Sequence, residues 1–490
     1  MLLLICGLLP VVLGGLLPFL RIKSRTVRMV YAVLSSCAVS AFLLYLIFAE
    51  TGEKALELIR FSDAFRFSLR LDGAGKVYLT AAAVLWPLAV LYAVEYMRHE
   101  EREGNFFAWF IITYGAAILL GCADNLFTLY IGYEFLTLCT VPLVWHKRDE
   151  ESTRAALIYM LYLIGGAALG FVAVLLVPRA CGFDGAFRLG GTLSMAVRSY
   201  VDPLYQWIAL FGFLGFGVKA AVLPLCRWLP TASVAPTPVT ALLHAVAVVN
   251  AGVFAVLRVL YYEVPASCIQ GAWPQTVMLS LCAATIVFAA VMAVREQHVK
   301  RRLAWSTVSN LSYMLLGLSL LTEQGMAAGL AHLVFHSLTK IILFFCAGAV
   351  LTQTGRTQVR EMHGLGKKMP VVFLSFLLAG VSLLGVPPLP GFVSKYALVT
   401  AAFAQGSPLA ICGVVAILLA AVLTVIYVFT IAYPAFFMKP RLSAGETEPR
   451  DPGPCMKTVF AVLAALLVCA GIFAGSVMQY LTNLAGGVIR

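Results

Sequence analysis

The stretch that decides the fold is residues 371–404, VVFLSFLLAGVSLLGVPPLPGFVSKYALVTAAFA, which carries one charged residue, Lys395, in 34 positions. As one straight helix it would be about 51 Å long, whereas the hydrocarbon core of a bilayer is about 30 Å thick. The run must therefore break. The segment 386–391, VPPLPG, supplies the reason, because proline removes backbone donors and clashes with the preceding turn. The stretch predicts a discontinuous helix in a membrane protein.

The composition extends this prediction to the whole chain. Of the 490 residues, 61% are hydrophobic and 12% are charged, and the mean hydropathy is +0.92. A soluble domain is about half apolar and about a quarter charged, so these charges are too few to cover a water-exposed surface. A disordered chain, a disulfide scaffold and a nucleic-acid-binding protein are excluded. The net charge of +12 arises from short basic loops, which are topology signals.

Apolar runs long enough to span a bilayer recur along the sequence. A spanning helix needs roughly 20 apolar residues, and about fourteen runs of this kind are separated by charged or Pro/Gly breaks. They lie near residues 2–20, 29–49, 77–97, 106–122, 124–145, 155–177, 203–226, 237–260, 275–294, 303–322, 326–352, 370–404, 408–438 and 457–482. The run 203–226 contains Lys219 and Pro224 and predicts a second discontinuous helix, five runs before the first. Because five is odd, the two would belong to inverted internal repeats.

The distribution of basic residues predicts the topology. Odd-numbered loops carry 22 lysines and arginines, whereas even-numbered loops, with Arg258, carry 9. Positive loops face the cytoplasm, so we expect both termini on the extracytoplasmic side and the first run to be a retained helix. The main extracytoplasmic loops are then 50–76 and 178–202. In the first of them, alternating apolar residues predict a short strand or hairpin: Phe65, Phe67, Leu69 and Leu71.

Four charged side chains fall inside apolar runs: Glu134, Lys219, Lys340 and Lys395. Each charge at the bilayer centre costs roughly 2.5–3.5 kcal/mol, so together they cost on the order of 10–14 kcal/mol unless they meet partners or water. A buried Glu134–Lys219 pair that only fixes packing is the structural alternative. It is weak, because replacing buried ion pairs with apolar residues is often neutral or stabilising.

Histidines accompany these charges. His332 and His336 precede Lys340 at spacings of four, which places all three on one helix face. His244 lies in another apolar run. Such a set allows a proton or cation relay, in which movement of Glu134 relative to Lys219 switches that lysine between holding and releasing a proton.

Other features receive structural interpretations. Glu95, Arg227 and Arg258 lie near the ends of runs and are predicted to be snorkelling anchors. The 12 cysteines include no Cys-x-x-Cys pair, and the sequence has neither a Gly-rich phosphate loop nor a nucleophile elbow. We therefore expect no metal, no cofactor and no redox or hydrolytic site in this chain.

Several motifs resemble one family. They are YEFL (133–136), FGVKAAVLPLCRWLP (216–230), APTPVTALLHA (235–245), KRRLAWST (300–307), HLVFHSLTK (332–340) and LPGFVSK (389–395). In this order, over about residues 70–440, they are similar to the antiporter-like subunits of respiratory complex I (NADH:quinone oxidoreductase). The same family includes Mrp-type cation/proton antiporter subunits and membrane-bound hydrogenase subunits.

The resemblance implies an all-α polytopic fold with fourteen transmembrane helices and two inverted five-helix repeats. The chain then divides into N-terminal helices (1–105), a first repeat (106–260), a second repeat (275–438) and a C-terminal helix (457–490). It also implies ion-translocating roles that fall on these residues: Glu134, Lys219, His244, His332, His336, Lys340 and Lys395.

The chain departs from the family pattern at three positions. Asn250 replaces a frequent lysine, and Arg227 and Thr231 replace the usual His and Asp around the Trp-Leu-Pro motif. The subunit-5 type, which relies on the histidine at position 244, can lack that lysine. Lys395 disfavours the subunit-4 type, which tends to carry Glu there, so the resemblance is closest to the subunit-5-like or Mrp-D-like type. The sequence ends soon after the last run, and we expect no long lateral helix.

The sequence therefore predicts a proton-translocating, antiporter-like subunit of a complex I-related or hydrogenase-related oxidoreductase in a bacterial or archaeal cytoplasmic membrane. The alternative is a subunit of an Mrp-type Na⁺/H⁺ antiporter. A structural membrane scaffold is disfavoured by the cost of the buried charges. Expected partners are the lipid bilayer, protons or Na⁺, and other membrane subunits, including related antiporter-like chains. Iron–sulfur, flavin or hydrogenase subunits are partners under the first prediction, and no nucleic acid is expected.

Overall fold

A computed structural model describes residues 1–20, 22–49, 55–62, 65–181, 185–191, 203–439 and 449–486. The first helices are α1 (Leu2–Leu16), α2 (Arg25–Ala49), α3 (Gly73–Tyr96), α4 (Glu103–Gly121), α5 (Leu126–Val144), α6 (Glu150–Cys181), α7 (Pro203–Gly217), α8 (Trp228–Thr231), α9 (Thr237–Ala245) and α10 (Val248–Arg258). The remaining helices are α11 (Trp273–Arg295), α12 (Val299–Ser319), α13 (Glu323–Thr354), α14 (Leu365–Lys368), α15 (Pro370–Leu384), α16 (Pro390–Gln405), α17 (Pro408–Phe437), α18 (Pro454–Ile472) and α19 (Ala474–Ala485).

The helices have the length and composition of a multi-pass membrane protein. Ten segments of the described chain are long and apolar enough to cross a bilayer, and α1 and α15 are shorter apolar helices. The predicted all-α membrane fold is confirmed, whereas the count of fourteen spans, the two inverted repeats and the four-part division stay predictions. The described part of the chain gives ten candidate spanning segments rather than fourteen partly because helix breaks shorten α7, α15 and α16 and because α12 begins with a basic turn.

The two predicted helix breaks are present. In the run 371–404, α15 ends at Leu384, Gly385 adopts a left-handed conformation with φ 89°, and α16 begins at Pro390. In the run 203–226, α7 ends at Gly217 and irregular turns lead to α8 at Trp228. Both discontinuous helices are therefore confirmed.

A further break lies where no proline or glycine signals it. The run 237–260 is divided at Val246 and Ala247, whose amides both donate to the carbonyl of Leu242. The carbonyl of Ala245 is satisfied instead by the side-chain amide of Asn250, at 2.8 Å. A side chain inserted into the helical hydrogen-bond ladder is a common cause of a kink. The C-terminal run is also divided, at Phe473.

The loop before α3 forms the predicted hairpin. Strands β1 (Leu56–Arg60) and β2 (Arg66–Leu69) pair antiparallel with a register irregularity. Of the other long loop, only residues 178–181 and 185–191 lie in the described part of the chain.

One predicted anchor proves to be internal. The side chain of Arg258 is fully buried and forms a bidentate ion pair with Asp72, at 2.6 Å for one of the two contacts. The snorkelling interpretation of Arg258 is therefore wrong, because its charge is neutralised within the protein. Glu95 accepts hydrogen bonds from the Gly453 and Met456 amides at the start of α18. Arg227 is exposed.

Burial separates central from peripheral helices. In the segment Thr237–Glu263, every residue of the most apolar stretch is buried, and in α13 94% of the residues of that stretch are buried. In α18 only 28% of the corresponding residues are buried. The outer face of α17 exposes large apolar side chains, as a lipid-facing surface does: Leu418, Leu419, Val422, Val425, Ile426 and Phe429.

Candidate functional site

Most of the predicted site residues lie on α13 or on helices that pack against it, whereas Glu134 lies on α5 and Lys219 in the turns after α7. The 32-residue helix α13 carries three of them, and it contacts α9, α12, α15 and α16. Every predicted site residue except Glu134 is buried, and Glu134 is partly buried. An interior position is what the cost of charges in a bilayer requires. The row of polar side chains in this interior is named the buried relay after its predicted role: Glu134, Lys219, His244, Asn250, Lys340, His336, His332 and Lys395.

Lys219 lies in the turns that interrupt the helix after α7. Its ammonium donates a hydrogen bond to the backbone carbonyl of Tyr133 and lies 3.5 Å from the centroid of the Tyr133 ring. Glu134 is the next residue on α5, yet its carboxylate forms no direct ion pair with Lys219 in the described structure, and its Oε1 is buried without a hydrogen-bond partner. The two charges are close enough to interact electrostatically. Glu134 and Lys219 therefore form an opened pair, meaning that the two charged groups are near each other without direct contact.

The backbone around Lys219 is fixed by its neighbours. The indole of Trp228 donates to the carbonyl of Val218 at 2.8 Å, which satisfies a group freed by the helix break. On α10, Gly252 permits close approach, because a Cβ at this position would lie 2.7 Å from Lys219 Cβ. Any larger residue at position 252 must displace Lys219.

His244 and Asn250 lie on either side of the break between α9 and α10. The His244 ring stacks on Phe344 with centroids 4.6 Å apart, and neither of its ring nitrogens has a hydrogen-bond partner among the described residues. Asn250 donates to Ser337 of α13 at 2.8 Å, in addition to its bond across the break. This segment therefore joins the first half of the relay to α13.

The inward face of α13 carries the middle of the relay. Lys340 donates to Ser306 Oγ and, at 3.2 Å, to the carbonyl of Leu303. His336 lies 6.0 Å from His332, ring centroid to ring centroid, and both nitrogens of His336 lack partners in the described chain. Lys340 is close enough to His244, His336 and Lys395 for their charges to interact.

His332 connects three helices. Its Nδ1 is 3.0 Å from Ser394 Oγ on α16, and its Nε2 is 3.2 Å from Asn310 Oδ1 on α12. Ser394 is adjacent to Lys395, so α13 contacts the last predicted site residue through its neighbour.

Lys395 lies in the second turn of α16, just after the break in the run 371–404. Its ammonium donates hydrogen bonds to the carbonyls of Leu383, at 2.6 Å, and Leu384, at 3.2 Å. These are the last two residues of α15. Lys395 thus caps the carbonyl end of the broken helix, where a positive charge is favourable. The side chain is 8% exposed.

Several polar side chains of this interior were not predicted from the sequence. In the sequence Lys300 belongs to the basic segment between the runs 275–294 and 303–322, yet it is buried at the start of α12 and donates to the Ala235 carbonyl at 2.7 Å. Its place inside the run KRRLAWST, where α12 begins at Val299, was the available signal. Asn310, Ser337 and Ser394 gave no signal, because isolated small polar residues are common in membrane helices.

A cavity of about 480 Å³ with several charged side chains in its lining opens between α6, α8, α11 and α12. Two of the departures from the family pattern, Arg227 and Thr231, line it, together with Glu151, Arg154, Glu296 and Arg301. Beside it, burial and the charges of Lys300 and Arg301 hold the pKa of the loop residue His298 below its ordinary value. Within the described chain, no cluster of three or more His, Cys, Asp or Glu side chains is placed to hold a metal ion.

Comparison with known proteins places this geometry in a family. Residues 123–424 match the family described as NADH:quinone oxidoreductase/Mrp antiporter, TM. The chain is 28% identical to NADH-quinone oxidoreductase subunit L of Rickettsia bellii (strain RML369-C), over 92% of this chain and 70% of that protein. It is also 28% identical to Na(+)/H(+) antiporter subunit A1 of Staphylococcus haemolyticus (strain JCSC1435), over 98% of this chain and 62% of that protein.

The fold has a close counterpart among solved structures. A chain of the membrane-bound sulfane sulfur reductase, an archaeal respiratory membrane complex, superposes with a TM-score of 0.85 at 22% identity, covering 99% of this chain and 97% of that one. The present chain spans about two thirds of the length of the curated relatives that it matches. Since the family match covers more than half of the chain, the protein belongs to the NADH:quinone oxidoreductase/Mrp antiporter family of transmembrane proteins.

Proposed function

We propose that this chain is a proton-translocating, antiporter-like membrane subunit of a complex I-related or hydrogenase-related oxidoreductase. One observation carries the proposal: buried polar atoms without protein partners recur along the relay, at Glu134 Oε1 and at both ring nitrogens of His244 and His336. Buried polar groups are almost always hydrogen-bonded, to protein or to water. Atoms left without protein partners in the middle of a bundle are therefore suited to water molecules and moving protons.

The opened pair at Glu134 and Lys219 is the control end of the relay. When the Glu134 carboxylate approaches, the Lys219 ammonium is stabilised and keeps its proton. When it withdraws, the proton is released into the bundle. In the present arrangement the Tyr133 carbonyl and ring hold the ammonium while Glu134 stays apart.

The middle of the relay passes protons between the two halves of the chain. His244 and Lys340 form the crossing to α13, His336 and His332 continue along it, and Lys395 is the exit end. A neutral imidazole accepts a proton on one nitrogen and donates from the other, so reorientation of His336 can transfer a proton along the helix face. No cofactor is needed in this chain, because the driving movement comes from partner subunits.

The second candidate is a subunit of an Mrp-type Na⁺/H⁺ antiporter. The similarity to Na(+)/H(+) antiporter subunit A1 over 98% of this chain favours it as a specific alternative. Glutamates, lysines and histidines serve a proton path, and the same carboxylate can attract Na⁺, so the relay alone fits both candidates.

The assembly follows from the first candidate. The chain lies in the cytoplasmic membrane of a bacterium or archaeon with both termini on the extracytoplasmic side. Its partners are other membrane subunits, related antiporter-like chains among them, and an iron–sulfur, flavin or hydrogenase module. Affinity purification of the intact complex with metal and flavin analysis separates the candidates. Iron and flavin support the oxidoreductase, and a metal-free complex of membrane subunits supports the antiporter.

The proposed relay is tested at its middle by His336→Gln, which keeps a polar side chain of similar size but cannot carry a proton. Proton movement in inverted membrane vesicles, normalised to assembled complex, should fall by about a hundredfold or more, the scale of losing a positioned proton-transfer group. Ser280→Ala removes an exposed hydroxyl on α11 and is the matched control, with unchanged transport. Full transport by His336→Gln contradicts the proposed relay.

A further inference from the structure

A cavity outside the buried relay lies between the beginning of α4 and the end of α5. Its volume is about 220 Å³, and its lining includes Arg102, Arg148, His146, Trp109 and Trp145. It faces the loops before α4 and after α5, which the basic-residue distribution assigns to the cytoplasm. The cavity therefore opens at the level where one leaflet meets water.

The lining is positively charged, and no described residue pairs with its arginines. None of the described lining residues is acidic, and neither Arg102 nor Arg148 forms a salt bridge with any described residue. Nearby arginines behave differently, since Arg25 and Arg28 both pair with Glu103, at 2.5 and 3.3 Å. The pocket arginines thus retain their capacity to bind an external anion.

Asp149, which follows Arg148 in the sequence, already has a hydrogen-bond partner at the start of α6. The carboxylate of Asp149 accepts a hydrogen bond from the Ser152 amide at 2.7 Å and thereby caps the start of α6. This bond, together with the hydroxyl of Ser152, lowers the pKa of Asp149.

Both arginines are held by an uncommon backbone conformation. Arg102 has φ 58° and Arg148 has φ 57°, in the left-handed region that non-glycine residues rarely occupy. Arg102 stands at the N-cap of α4, and Arg148 closes the turn after α5 through a bond from its amide to the Trp145 carbonyl at 3.2 Å. Strained backbone persists where the surrounding structure fixes it, often at ligand clamps.

The other wall of the cavity is aromatic and apolar. Trp109 and Trp145 are 37% and 41% exposed, and the Arg148 guanidinium lies 5.3 Å from the Trp145 ring centroid. Tryptophan is enriched at the headgroup level of membranes. Pro142 completes the apolar side. A phosphate is matched by the arginines, and the glycerol portion of a lipid by the tryptophans.

From this geometry we propose that the cavity binds the phosphate headgroup of an anionic phospholipid of the cytoplasmic leaflet. Free inorganic phosphate shares the anionic chemistry but has no apolar part that could pack against the two tryptophans. Burial lowers the pKa of His146, and the charge of Glu100 opposes this shift. At neutral pH the positive charge of the pocket therefore comes from the two arginines. Guanidinium groups bind phosphate oxygens through paired N–H donors.

The experiment measures lipid retention by the intact complex. The complex is loaded with phosphatidylglycerol, transferred to phosphatidylcholine nanodiscs, and the phosphatidylglycerol retained per complex is measured by mass spectrometry. Arg102→Gln with Arg148→Gln should weaken retention by about fivefold for each arginine, the factor expected of one basic residue at a lipid surface. The matched control, Arg360→Gln with Lys367→Gln, removes the same charge from two exposed positions in the segment before α15 and should retain lipid like the wild type.

Two outcomes overturn the proposal. One is equal phosphatidylglycerol retention by the pocket variant and the control variant. The other is displacement of the lipid by millimolar inorganic phosphate, which would assign the cavity to a free anion. If the double variant does not assemble, Arg102→Gln and Arg148→Gln are measured singly, and retention equal to wild type in both overturns it equally.

Discussion

The side-chain amide of Asn250 on α10 donates a 2.8 Å hydrogen bond to the hydroxyl of Ser337 on α13. The same amide donates to the Ala245 carbonyl across the break between α9 and α10. One residue therefore stabilises the break and ties it to the long central helix. It does so one turn from Lys340, where the proposed relay crosses between the two halves of the chain.

Removing this amide should destabilise the bundle. We expect Asn250→Leu, which keeps the approximate size, to lower the free energy of unfolding by about 1–3 kcal/mol, because the Ala245 carbonyl then loses its donor in a buried place. Thermal dissociation of the purified complex measures the effect. Thr400→Val, at an exposed side chain of α16, is the control. Equal stability of the two variants would show that the break needs no cap.

The buried Asp72–Arg258 pair predicts a larger effect. Asp72→Asn leaves the Arg258 guanidinium buried without a counter-charge, and the loss of one partner of a buried ion pair costs about 3–5 kcal/mol. Glu57→Gln, in the exposed pair with Arg60, should leave stability unchanged, since exposed pairs contribute little. Chemical denaturation of both variants makes the comparison. Similar stabilities contradict an essential role for the buried pair.

The capping role of Lys395 and its proposed role as a proton carrier can be separated experimentally. As a cap of the Leu383 and Leu384 carbonyls it can be replaced by arginine, but as a proton carrier it cannot, because arginine stays protonated. We expect Lys395→Arg to assemble like the wild type and to pump almost as poorly as Lys395→Ala. Vesicle pumping normalised to assembled complex gives the readout. Near-normal pumping by Lys395→Arg would leave this lysine with the capping role alone.

The topology is open to a direct check. The asymmetry of 22 to 9 basic residues predicts that loops 21–28, 147–154 and 439–450 are cytoplasmic. Single cysteines introduced at these loops, in a background lacking exposed native cysteines, should resist impermeant thiol reagents in intact cells and react in inverted vesicles. Labelling of the 147–154 loop in intact cells contradicts this orientation and, with it, the leaflet assigned to the lipid cavity.

Features that depend on local sequence could be predicted. Prolines allowed both discontinuous helices to be predicted, because a proline in the interior of a helix disrupts it. The buried position of Lys219 and Lys395 was predictable because a charge within an apolar run must face the interior. The alternation in the loop before α3 was sufficient to indicate a hairpin.

Features that depend on pairing across the chain could not. Arg258 meets Asp72 at a separation of 186 residues, and nothing near Arg258 in sequence distinguishes a buried partner from a lipid headgroup. The break at Val246 and Ala247 contains neither proline nor glycine and depends on the Asn250 side chain. The sequence does not distinguish Lys300 from Arg301, because both belong to the same basic segment, yet Lys300 is buried and Arg301 is partly exposed.

The central claim is that Glu134 and Lys219 form a switching pair at the control end of the relay. Tyr133 offers a matched control, because the ammonium of Lys219 uses its carbonyl and ring face, and both survive in Tyr133→Phe. That variant loses only the hydroxyl contact to the Phe216 carbonyl, at 3.1 Å. It should therefore pump normally.

The decisive measurement is proton translocation by the assembled complex in membrane vesicles, compared among Lys219→Ala, Glu134→Gln and Tyr133→Phe at equal subunit content. The proposed switch predicts that the first two abolish translocation without loss of assembly and that the third retains it. Wild-type translocation by a well-assembled Lys219→Ala complex would contradict it.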